Sequence, residues 1–253
     1  MGGTKERRAA LITGGGRGIG RATAIAAARA GYDVGVNYVG DDAAAEATVA
    51  ACREQGAKSS PLKADIADRD AVAAMFQSFD QSFGRLDLLV NNAGIVGKTT
   101  TIEALEPEVL EKTFAVNVYG SIYCAQEAVR RMSKKRGGAG GVIVNLSSIA
   151  ATLGSAGEYV HYAASKGAIE TFTLGLGKEV AAEGIRVNAV QAGTTDTEIH
   201  ARAGNPDRPA MVAKKVPLGR VATPEDIAEA ILWLASDAAS YTTCTSLRIG
   251  GGL

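Results

Sequence analysis

The chain has 253 residues, and its 27 lysines and arginines balance 27 aspartates and glutamates, so its formal net charge is zero. Hydrophobic residues make up 46% of it, which excludes a disordered chain. Without excess positive charge, neither nucleic acid nor an anionic membrane is expected as a partner. Three cysteines and two histidines favour neither a disulfide framework nor a metal site. The apolar run at 9–12 is too short for a secretory or membrane-spanning segment, which predicts a cytoplasmic protein.

Short apolar runs alternate with longer amphipathic stretches along the chain. The runs predict seven strands, at 9–13, 33–38, 59–64, 86–91, 142–147, 185–190 and 247–249. The stretches predict six helices, at 18–30, 42–55, 68–83, 107–132, 157–183 and 224–236, with Asp68 and Thr223 as N-caps. Near-continuous Val, Ile and Leu suits parallel strands covered on both faces. This alternation predicts an α/β fold, a single-domain (1–253) doubly wound parallel seven-stranded sheet with helices on both faces.

A glycine-rich turn, Thr13-Gly14-Gly15-Gly16-Arg17-Gly18-Ile19-Gly20, follows the first predicted strand. Glycines allow positive φ angles and let the backbone approach a pyrophosphate closely. The helix that begins in this turn presents unpaired N–H groups and a positive dipole end to such a group. The spacing differs from Gly-x-Gly-x-x-Gly, so a bare tight turn stays an alternative. The position after the first strand favours a dinucleotide site formed by Thr13, Gly14, Arg17, Gly18, Ile19 and Gly20.

The end of the second strand bears on which dinucleotide is bound, because an acidic residue there holds the ribose 2′-hydroxyl. This strand ends with Asn37 and Tyr38, which offer no carboxylate to repel a 2′-phosphate. Arg17 in the glycine-rich turn is placed to attract such a phosphate. These residues predict NADP as the cofactor in preference to NAD. Asp41 and Asp42 come later and are expected to cap the next helix.

Tyr162 and Lys166 are four residues apart in a predicted helix, so their side chains share one face. A phenol, with a pKa of about 10, is a poor acid–base catalyst at neutral pH unless a cation favours the phenolate. The Lys166 ammonium is the predicted cation, and an exposed helix pair is the alternative. Ser148 at a strand end, Asn117 in a helix and the Asn91–Gly94 segment support catalysis, because ligands bind beyond the carboxyl ends of the strands.

With these motifs the chain resembles the classical short-chain dehydrogenase/reductase family, from Thr13 to the glycines at 250–252. The resemblance implies that Tyr162 is the general acid/base, which gives its proton to a carbonyl oxygen as hydride arrives from the nicotinamide. It implies that Lys166 lowers the Tyr162 pKa and holds the nicotinamide ribose. Ser148 would hydrogen-bond the substrate oxygen, and Asn117 would hold a water in the proton relay behind Lys166.

The resemblance also implies cofactor contacts at the ends of several strands. Asp65, followed by Ile66, resembles the adenine contact, and a helix cap is the alternative reading of Asp65. The remaining implied contacts are Asn91, Ala93 and Gly94 in the central groove, and Gly193, Thr195 and Thr197 against the nicotinamide or the phosphates.

The chain departs from the family pattern at three positions. Ala192 stands where a proline is usual, and this change is expected to loosen the nicotinamide edge. Cys244 and Gly250 replace a glycine and an aspartate near the C-terminus. Those two positions commonly serve subunit contacts and the last strand, so they put the stability of an oligomer in doubt.

The stretch 194–216 resembles the mobile substrate lid of the family. Candidates for the pocket wall are Gly154, Ser155, Tyr159, His161, His200 and Met211, each with surface or packing as its alternative. His161 is expected to be exposed rather than catalytic, because it lies on another face of the helix than Tyr162.

The leading hypothesis is an NADP(H)-linked carbonyl reductase that acts on ketones, aldehydes or the corresponding secondary alcohols. Two enzymatic alternatives are a 3-oxoacyl-carrier-protein reductase, disfavoured by Glu183 where a basic residue is common, and a sugar 1-dehydrogenase, favoured around Val36–Tyr38. A non-catalytic dinucleotide-binding regulatory protein is the contrasting class. The family implies a homotetramer, with the helices at 107–132 and 157–183 as dimer faces.

Overall fold

A computed structural model of the chain describes residues 7–253, and residues 1–6 of the predicted domain lie outside it. Its seven strands are β1 Arg8–Ile12, β2 Tyr32–Tyr38, β3 Ser59–Lys63, β4 Leu88–Asn91, β5 Gly141–Ser148, β6 Ile185–Ala192 and β7 Ser246–Ile249. All pairs are parallel, and the strand order is β3-β2-β1-β4-β5-β6-β7. The predicted doubly wound parallel sheet is confirmed.

Ten α-helices occur in residues 7–253: α1 Gly18–Arg29, α2 Asp42–Glu54, α3 Arg69–Phe83, α4 Pro107–Phe114, α5 Ser121–Met132, α6 Ala150–Leu153, α7 Val160–Val180, α8 Ile199–Arg202, α9 Arg208–Ala213 and α10 Pro224–Ala235. The predicted helix at 107–132 contains a π-helical segment, Ala115–Gly120, between α4 and α5. The helix predicted from 157 begins at Val160. Helices α6, α8 and α9 have at most six residues and were not predicted. No helix in the described range is long and apolar enough to span a membrane.

Side-chain caps start several helices, as the sequence predicts. Asp68 accepts hydrogen bonds from the first amides of α3, and Thr223 forms a capping box with Asp226 at α10. Asp41 caps α2. Asp42 does not act as a cap, which corrects the prediction for it. Its carboxylate lies 3.0 Å from the Lys63 ammonium on β3.

Two hydrophobic cores cover the two faces of the sheet. Successive side chains of a strand point to opposite faces, so Ala10 and Ile12 of β1 enter one core, and Ala9 and Leu11 enter the other. The first core is closed by α1, α2 and α10, and the second by α3, α5 and α7. Burial on both faces explains why the central strands are apolar throughout, and it leaves the strand ends as the place for polar chemistry.

Candidate active site

Four strands deliver their carboxyl ends to one edge of the sheet. Ile12 of β1 pairs with Val90 of β4, and Ser148 of β5 pairs with Ala192 of β6. The glycine-rich turn, the segment after β4, Ser148 and the segment after β6 therefore lie side by side. Ala192, the first departure from the family pattern, is a fully paired strand residue whose carbonyl accepts the Ile149 N–H at 3.0 Å.

The glycine-rich turn is shaped to receive an anionic group. A Cβ atom at Gly20 would lie 2.2 Å from the Gly14 carbonyl oxygen, so only glycine permits α1 to start this close to the turn. Gly14 itself has a φ of 61°, in the left-handed region. The residue before α1, Arg17, makes no capping hydrogen bond with its side chain, and no acid lies in the first turn. The free N–H groups and positive dipole end fit the pyrophosphate of a dinucleotide.

Thr13 fastens the turn to the segment after β4. Its buried hydroxyl accepts hydrogen bonds from the N–H groups of Asn92 and Ala93, each at 3.0 Å. The Asn92 amide in turn donates to the carbonyls of Thr13 at 2.7 Å and Gly14 at 3.1 Å. The Thr13 side chain is fully buried, so the predicted cofactor contact of this residue falls to its backbone and stays a prediction. Asn92 was not predicted, although a polar residue directly after a buried strand was an available signal.

Asn37 is a second support of the turn rather than a ligand-facing group. Its side chain is 1% exposed, and its Oδ1 accepts the Gly14 N–H at 3.2 Å. Its Nδ2 donates to the carbonyls of Leu62 and Ala64 at 3.1 and 3.0 Å. The predicted cofactor contact of Asn37 therefore falls to its backbone and stays a prediction. Its polar atoms are hydrogen-bonded to backbone groups of the glycine-rich turn and of residues 62–64.

The surface beside the end of β2 carries the groups that bear on the choice of dinucleotide. Tyr38 is half-buried, and the Lys63 ammonium lies 5.8 Å from its ring centroid. Arg17 is exposed at the start of α1. Asp42, a carboxylate beside Tyr38, is paired with Lys63 and so already has a cationic partner.

Asp65 and Ile66 differ in what they offer a ligand. The exposed Asp65 carboxylate accepts the Ala67 N–H at 2.9 Å and so shapes the turn before α3. It is not the helix cap, since Asp68 has that role. Ile66 is 2% exposed and belongs to the second core, so its predicted cofactor contact falls to its backbone and stays a prediction.

Asn91 is buried beneath the groove, while the two residues predicted with it are more accessible. Its Nδ2 donates to the carbonyl of Ser121 at 3.1 Å and to Oδ1 of Asn145 at 2.9 Å. Its side chain ties β4 to β5 and α5, and the predicted cofactor contact of Asn91 stays a prediction for its backbone. Ala93 and Gly94 are half-buried. A Cβ at Gly94 would lie 3.2 Å from Oδ1 of Asn117 and 3.5 Å from Nζ of Lys166.

Asn117 lies in the π-helical segment, where the extra residue per turn re-aims a side chain. Its Oδ1 accepts the Ile95 N–H at 2.8 Å, and its Nδ2 donates to the Ile95 carbonyl at 2.9 Å. The same Nδ2 donates to the Ser165 hydroxyl of α7 at 3.0 Å. Asn117 thus binds the segment after β4 to the helix that carries Tyr162. Its predicted water-holding role stays a prediction.

Ser148, Tyr162 and Lys166 come together at the end of β5. The Ser148 hydroxyl lies close enough to the Tyr162 hydroxyl to lower the pKa of that group. The Ser148 Oγ also accepts the Ala150 N–H at 3.1 Å, which fixes it at the start of α6. Lys166 is 4% exposed, and its Nζ donates to the Leu146 carbonyl at 2.6 Å. That nitrogen lies 5.7 Å from the centroid of the Tyr162 ring.

Burial and two neighbouring groups act on the Tyr162 hydroxyl. Burial raises its pKa, whereas the nearby Ser148 hydroxyl and the Arg208 charge lower that pKa. Burial also lowers the pKa of Lys166 to about 8. Nζ of Lys166 is directed at the Leu146 carbonyl, and the predicted effect of Lys166 on the Tyr162 pKa stays a prediction.

The segment after β6 returns to the glycine-rich turn. The Gly193 N–H donates to the Ile249 carbonyl at 2.8 Å, and Thr195 is buried with its hydroxyl on the Gly193 carbonyl at 3.0 Å. Thr197 is half-buried, and its methyl group would meet a Cβ at Gly18 at 3.2 Å. Gly193 and Thr197 are thus brought to the groove between the two halves of the sheet, whereas the Thr195 side chain is used within its own loop.

An apolar wall stands beside the Tyr162 hydroxyl. Val96, Tyr159 and Ala203 form a buried cluster against which Tyr162 and Ile199 pack. The rings of Tyr159 and Tyr162 meet edge to face, with centroids 5.7 Å apart. The predicted pocket residue Tyr159 therefore does contact the proposed catalytic tyrosine.

An arginine that the sequence analysis did not single out completes this wall. Arg208, the first residue of α9, places its guanidinium carbon 4.9 Å from the centroid of the Tyr159 ring. Its Nη1 lies 2.5 Å from the Glu158 carboxylate, and its side chain is 15% exposed. Nothing in its local sequence, within a polar stretch, marked it as buried.

The two histidines occupy different surroundings. His161 is 3% exposed, with its Nε2 3.0 Å from the Val96 carbonyl, so the expectation that it is exposed is wrong. The loop at 95–97 folds over that face of α7 and buries it. His200 is half-buried, and burial followed by the Arg208 charge lowers its pKa. Of the other wall candidates, Ser155 is half-buried, and Gly154 and Met211 are exposed.

Comparisons with known proteins agree with this geometry. A family model described as enoyl-(acyl carrier protein) reductase matches residues 14–253. The chain is 50% identical over 243 residues to the uncharacterized oxidoreductase YgfF of Escherichia coli, covering 96% of this chain and 98% of that protein. It is 36% identical over 249 residues to a 3-oxoacyl-[acyl-carrier-protein] reductase of Staphylococcus aureus, covering 98% and 99%. An L-rhamnose 1-dehydrogenase (NAD(P)(+)) of Sphingomonas is 36% identical over 250 residues, covering 98% and 96%.

Solved structures show the same architecture. A short-chain type dehydrogenase/reductase from Mycobacterium marinum superposes with a TM-score of 0.90 at 33% identity, covering 97% of this chain and 94% of that one. A short-chain dehydrogenase from Burkholderia cenocepacia, in complex with NADP, superposes with a TM-score of 0.89 at 32% identity, covering 98% of each chain. The chain belongs to the short-chain dehydrogenase/reductase family of oxidoreductases.

Proposed function

We propose that this oxidoreductase interconverts a ketone or aldehyde and the corresponding alcohol, with NADP(H) as its preferred cofactor and Tyr162 as the general acid/base. The observation that carries the proposal is the Ser148–Tyr162 hydroxyl pair, fixed beside Lys166 at the edge of the sheet where the glycine-rich turn opens. When bound, the nicotinamide supplies or accepts the hydride.

The substrate oxygen is held and protonated by side chains of this chain. The Ser148 and Tyr162 hydroxyls lie near each other, and each can turn its O–H toward a carbonyl oxygen that enters between them. Tyr162 gives its proton to that oxygen as negative charge develops on it, and Ser148 stabilises the charge by a hydrogen bond. Lys166 stands behind Tyr162 and replaces the lost proton from its ammonium, whose pKa of about 8 makes the transfer easier than from an ordinary lysine.

The acid–base balance of the site favours carbonyl reduction. Burial raises the pKa of Tyr162, so its phenol keeps its proton at neutral pH and is ready to donate it. Alcohol oxidation requires the phenolate instead, and the Arg208 charge and Ser148 oppose only part of the burial effect. We therefore expect the reverse reaction to need a higher pH than reduction.

The residues that would hold the dinucleotide are the glycine-rich turn with α1, the backbone at Ala93 and Gly94, and Thr197. The preference for NADP is supported by the exposed Arg17 and by the pairing of Asp42 with Lys63. Replacing Arg17 by alanine should raise KM for NADPH about tenfold and leave KM for NADH within about twofold, since only NADPH has a 2′-phosphate for Arg17 to bind. Equal effects on the two cofactors would refute the preference.

The catalytic assignment is tested by following NADPH and NADH absorbance over a panel of ketones and aldehydes. Tyr162→Phe removes one oxygen atom and should lower kcat by at least about a hundredfold, the usual contribution of general acid–base catalysis. NADPH affinity, measured by fluorescence titration, should be unchanged. A Tyr162→Phe variant that turns over as fast as the parent would overturn the assignment. If the parent reduced none of the carbonyl compounds, the non-catalytic alternative would be favoured.

Two narrower substrate classes are alternatives suggested by the relatives. A 3-oxoacyl thioester and an aldose would be compared directly with simple ketones, by kcat/KM in the same assay. Glu183 lies just after α7, and its carboxylate accepts a hydrogen bond from the Ser133 hydroxyl. This places a negative charge where a basic patch for an acidic carrier is expected, and it supports simple ketones over carrier-bound substrates.

We further propose a homotetramer that resides in the cytoplasm. Exposed apolar side chains on the helices named as dimer faces support assembly, namely Leu110, Tyr119 and Leu174, which are 39%, 51% and 44% exposed. Light scattering that gives a monomer mass would refute it. The free thiols of Cys52, Cys124 and Cys244 support a reducing compartment.

A further inference from the structure

Arg208 carries more hydrogen-bonding capacity than residues 7–253 use. A guanidinium has five N–H donors in a planar fork. The hydrogen bond described for Arg208 runs from Nη1 to the Glu158 carboxylate. Its Nε is buried without a hydrogen-bond partner among the described residues. A buried donor without a partner is costly, so a group that satisfies it is favoured there.

The position of Arg208 connects this free capacity to the reacting groups. Its guanidinium stacks on the Tyr159 ring at 4.9 Å, and Tyr159 contacts Tyr162 edge to face at 5.7 Å. The apolar cluster of Val96, Tyr159 and Ala203 excludes water around this chain of contacts. A positive charge in such surroundings attracts an anion more strongly than one on the open surface.

Glu158 does not satisfy the guanidinium completely. Its side chain is 38% exposed, whereas that of Arg208 is 15% exposed, so the carboxylate lies toward water and the guanidinium toward the protein. The Glu158 carboxylate occupies the Nη1 corner of the guanidinium fork. The Nε corner has no hydrogen-bond partner among the described residues. Because Nε is buried, a second carboxylate can meet that corner, in the side-on geometry that arginine favours, only when the Arg208 side chain shifts to expose it.

We propose that Arg208 is a specificity-determining residue that binds a carboxylate of the substrate, so that the preferred substrates are oxo acids and the corresponding hydroxy acids. This inference rests on the proposed carbonyl reduction at Tyr162 for its reaction, and on the contacts of Arg208 for its choice of substrate. The predicted lid at 194–216 contains Arg208, so it contributes substrate recognition as well as cover.

The test compares each acid with its methyl ester, which keeps the ketone and removes the charge. The probes are 2-oxobutanoate, 3-oxobutanoate and 4-oxopentanoate with their methyl esters, reduced with NADPH. For the parent, kcat/KM of one acid should exceed that of its ester by at least about tenfold. Arg208→Met should lower kcat/KM of that acid by about thirtyfold, mainly through KM, and change that of the ester by less than about threefold. Arg208→Lys, which keeps the charge but not the fork, should fall between.

Matched variants separate recognition from a general disturbance of the lid. Arg202 lies on the same segment, 54% exposed and paired only with Glu198 at 3.1 Å in the described chain, so Arg202→Met should leave the acid-to-ester ratio unchanged. Glu158→Gln removes the competing carboxylate and should raise that ratio about threefold. Equal losses for acid and ester in Arg208→Met would show a purely structural residue and overturn the inference.

A binding measurement distinguishes failure of this inference from failure of the proposed function. Calorimetry with 4-oxopentanoate and NADP⁺, which do not react together, should give a Kd that Arg208→Met weakens by at least about tenfold. Arg208-dependent binding without reduction of any carbonyl would contradict the function and keep the recognition site. Reduction of neutral ketones with no Arg208-dependent binding of acids would contradict the recognition site and keep the function.

Discussion

The cradle (residues 13–20 and 91–95) and the lid segment (194–216) face each other across the site and are held by different means. Buried amides and hydroxyls fasten the cradle to the backbone, as Asn37 does to Gly14 at 3.2 Å and Asn117 to Ile95 at 2.8 Å. Longer-range contacts of the lid include the Arg208–Glu158 pair and a 3.2 Å hydrogen bond from the Thr99 hydroxyl to the Ala203 carbonyl. If the proposed function and the proposed role of Arg208 hold, acid–base chemistry is built into the firmly bonded sheet edge, while substrate choice belongs to the segment with fewer anchoring bonds.

The largest predicted effect lies in the cradle, at Gly20. Gly20→Ala would force a Cβ to 2.2 Å from the Gly14 carbonyl oxygen. We expect the free energy of unfolding to fall by about 3 kcal/mol in chemical denaturation and NADPH binding to be lost. Gly175→Ala is the control. Gly175 lies at an exposed position of α7, where a Cβ meets nothing within 4 Å, so this variant should raise the free energy of unfolding by about 0.5 kcal/mol. A stable Gly20→Ala that binds NADPH would break the comparison.

Asn37 is the next position, since its side chain bonds three backbone groups. Asn37→Ala leaves the Gly14 N–H and two carbonyls without their partner, and we expect a loss of about 2 kcal/mol in the free energy of unfolding. The matched lid variant Asn205→Ala should change that free energy by less than about 0.5 kcal/mol. If both variants cost the same, buried amides do not distinguish the cradle from the lid.

Cys244 lies outside both the cradle and the lid segment and provides a test of backbone strain. It has a φ of 61°, a left-handed conformation that a side chain disfavours. Cys244→Gly relieves this strain, and we expect thermal and chemical denaturation to show about 1 kcal/mol of added stability, reduced somewhat by the entropy of glycine in the unfolded chain. Cys244→Ala keeps the strained conformation and should add nothing. A destabilised Cys244→Gly would show that packing of the thiol outweighs the strain.

The smallest predicted effect is a pH dependence from His161. Burial lowers the pKa of His161 in the folded state below its unfolded value of about 6.5. The stability that its neutral form contributes is therefore present above about pH 6.5 and is lost as the pH falls below that value toward the folded pKa. Denaturation curves between pH 7 and 5 should show a steeper loss for the parent than for His161→Gln. Identical slopes for the parent and His161→Gln would contradict a lowered pKa of His161 in the folded state.

The sheet and the catalytic group were predictable because their signals are local. Apolar runs separated by amphipathic stretches specify parallel strands covered on both faces, and Ser148, Tyr162 and Lys166 stand at the strand end and helix face where the family pattern expects them. The structure brings these three together. The π-helical segment was not predictable, since the hydrophobic pattern of 107–132 continues through it.

The buried polar residues and the electrostatics were harder to predict. Thr13, Asn37 and Asn91 end strands at the ligand edge, and from sequence they are indistinguishable from ligand contacts. Only the packing of neighbouring strands shows that their side chains bond groups within the protein. The bond from Lys166 to the Leu146 carbonyl was hidden for the same reason, because the spacing to Tyr162 does not reveal it. The position of Arg208 could not be predicted either, because it depends on a contact with Glu158, which lies 50 residues earlier in the sequence.

Hydrogen–deuterium exchange followed by mass spectrometry tests the division between cradle and lid most directly. With the protein alone, peptides from 13–20 and 91–95 should exchange slowly, since their amides open only with the sheet. Peptides from 199–213 should exchange faster by at least about a hundredfold, because α8 and α9 have four and six residues and few anchoring bonds. The account predicts this contrast, and equal protection of the two regions would contradict it.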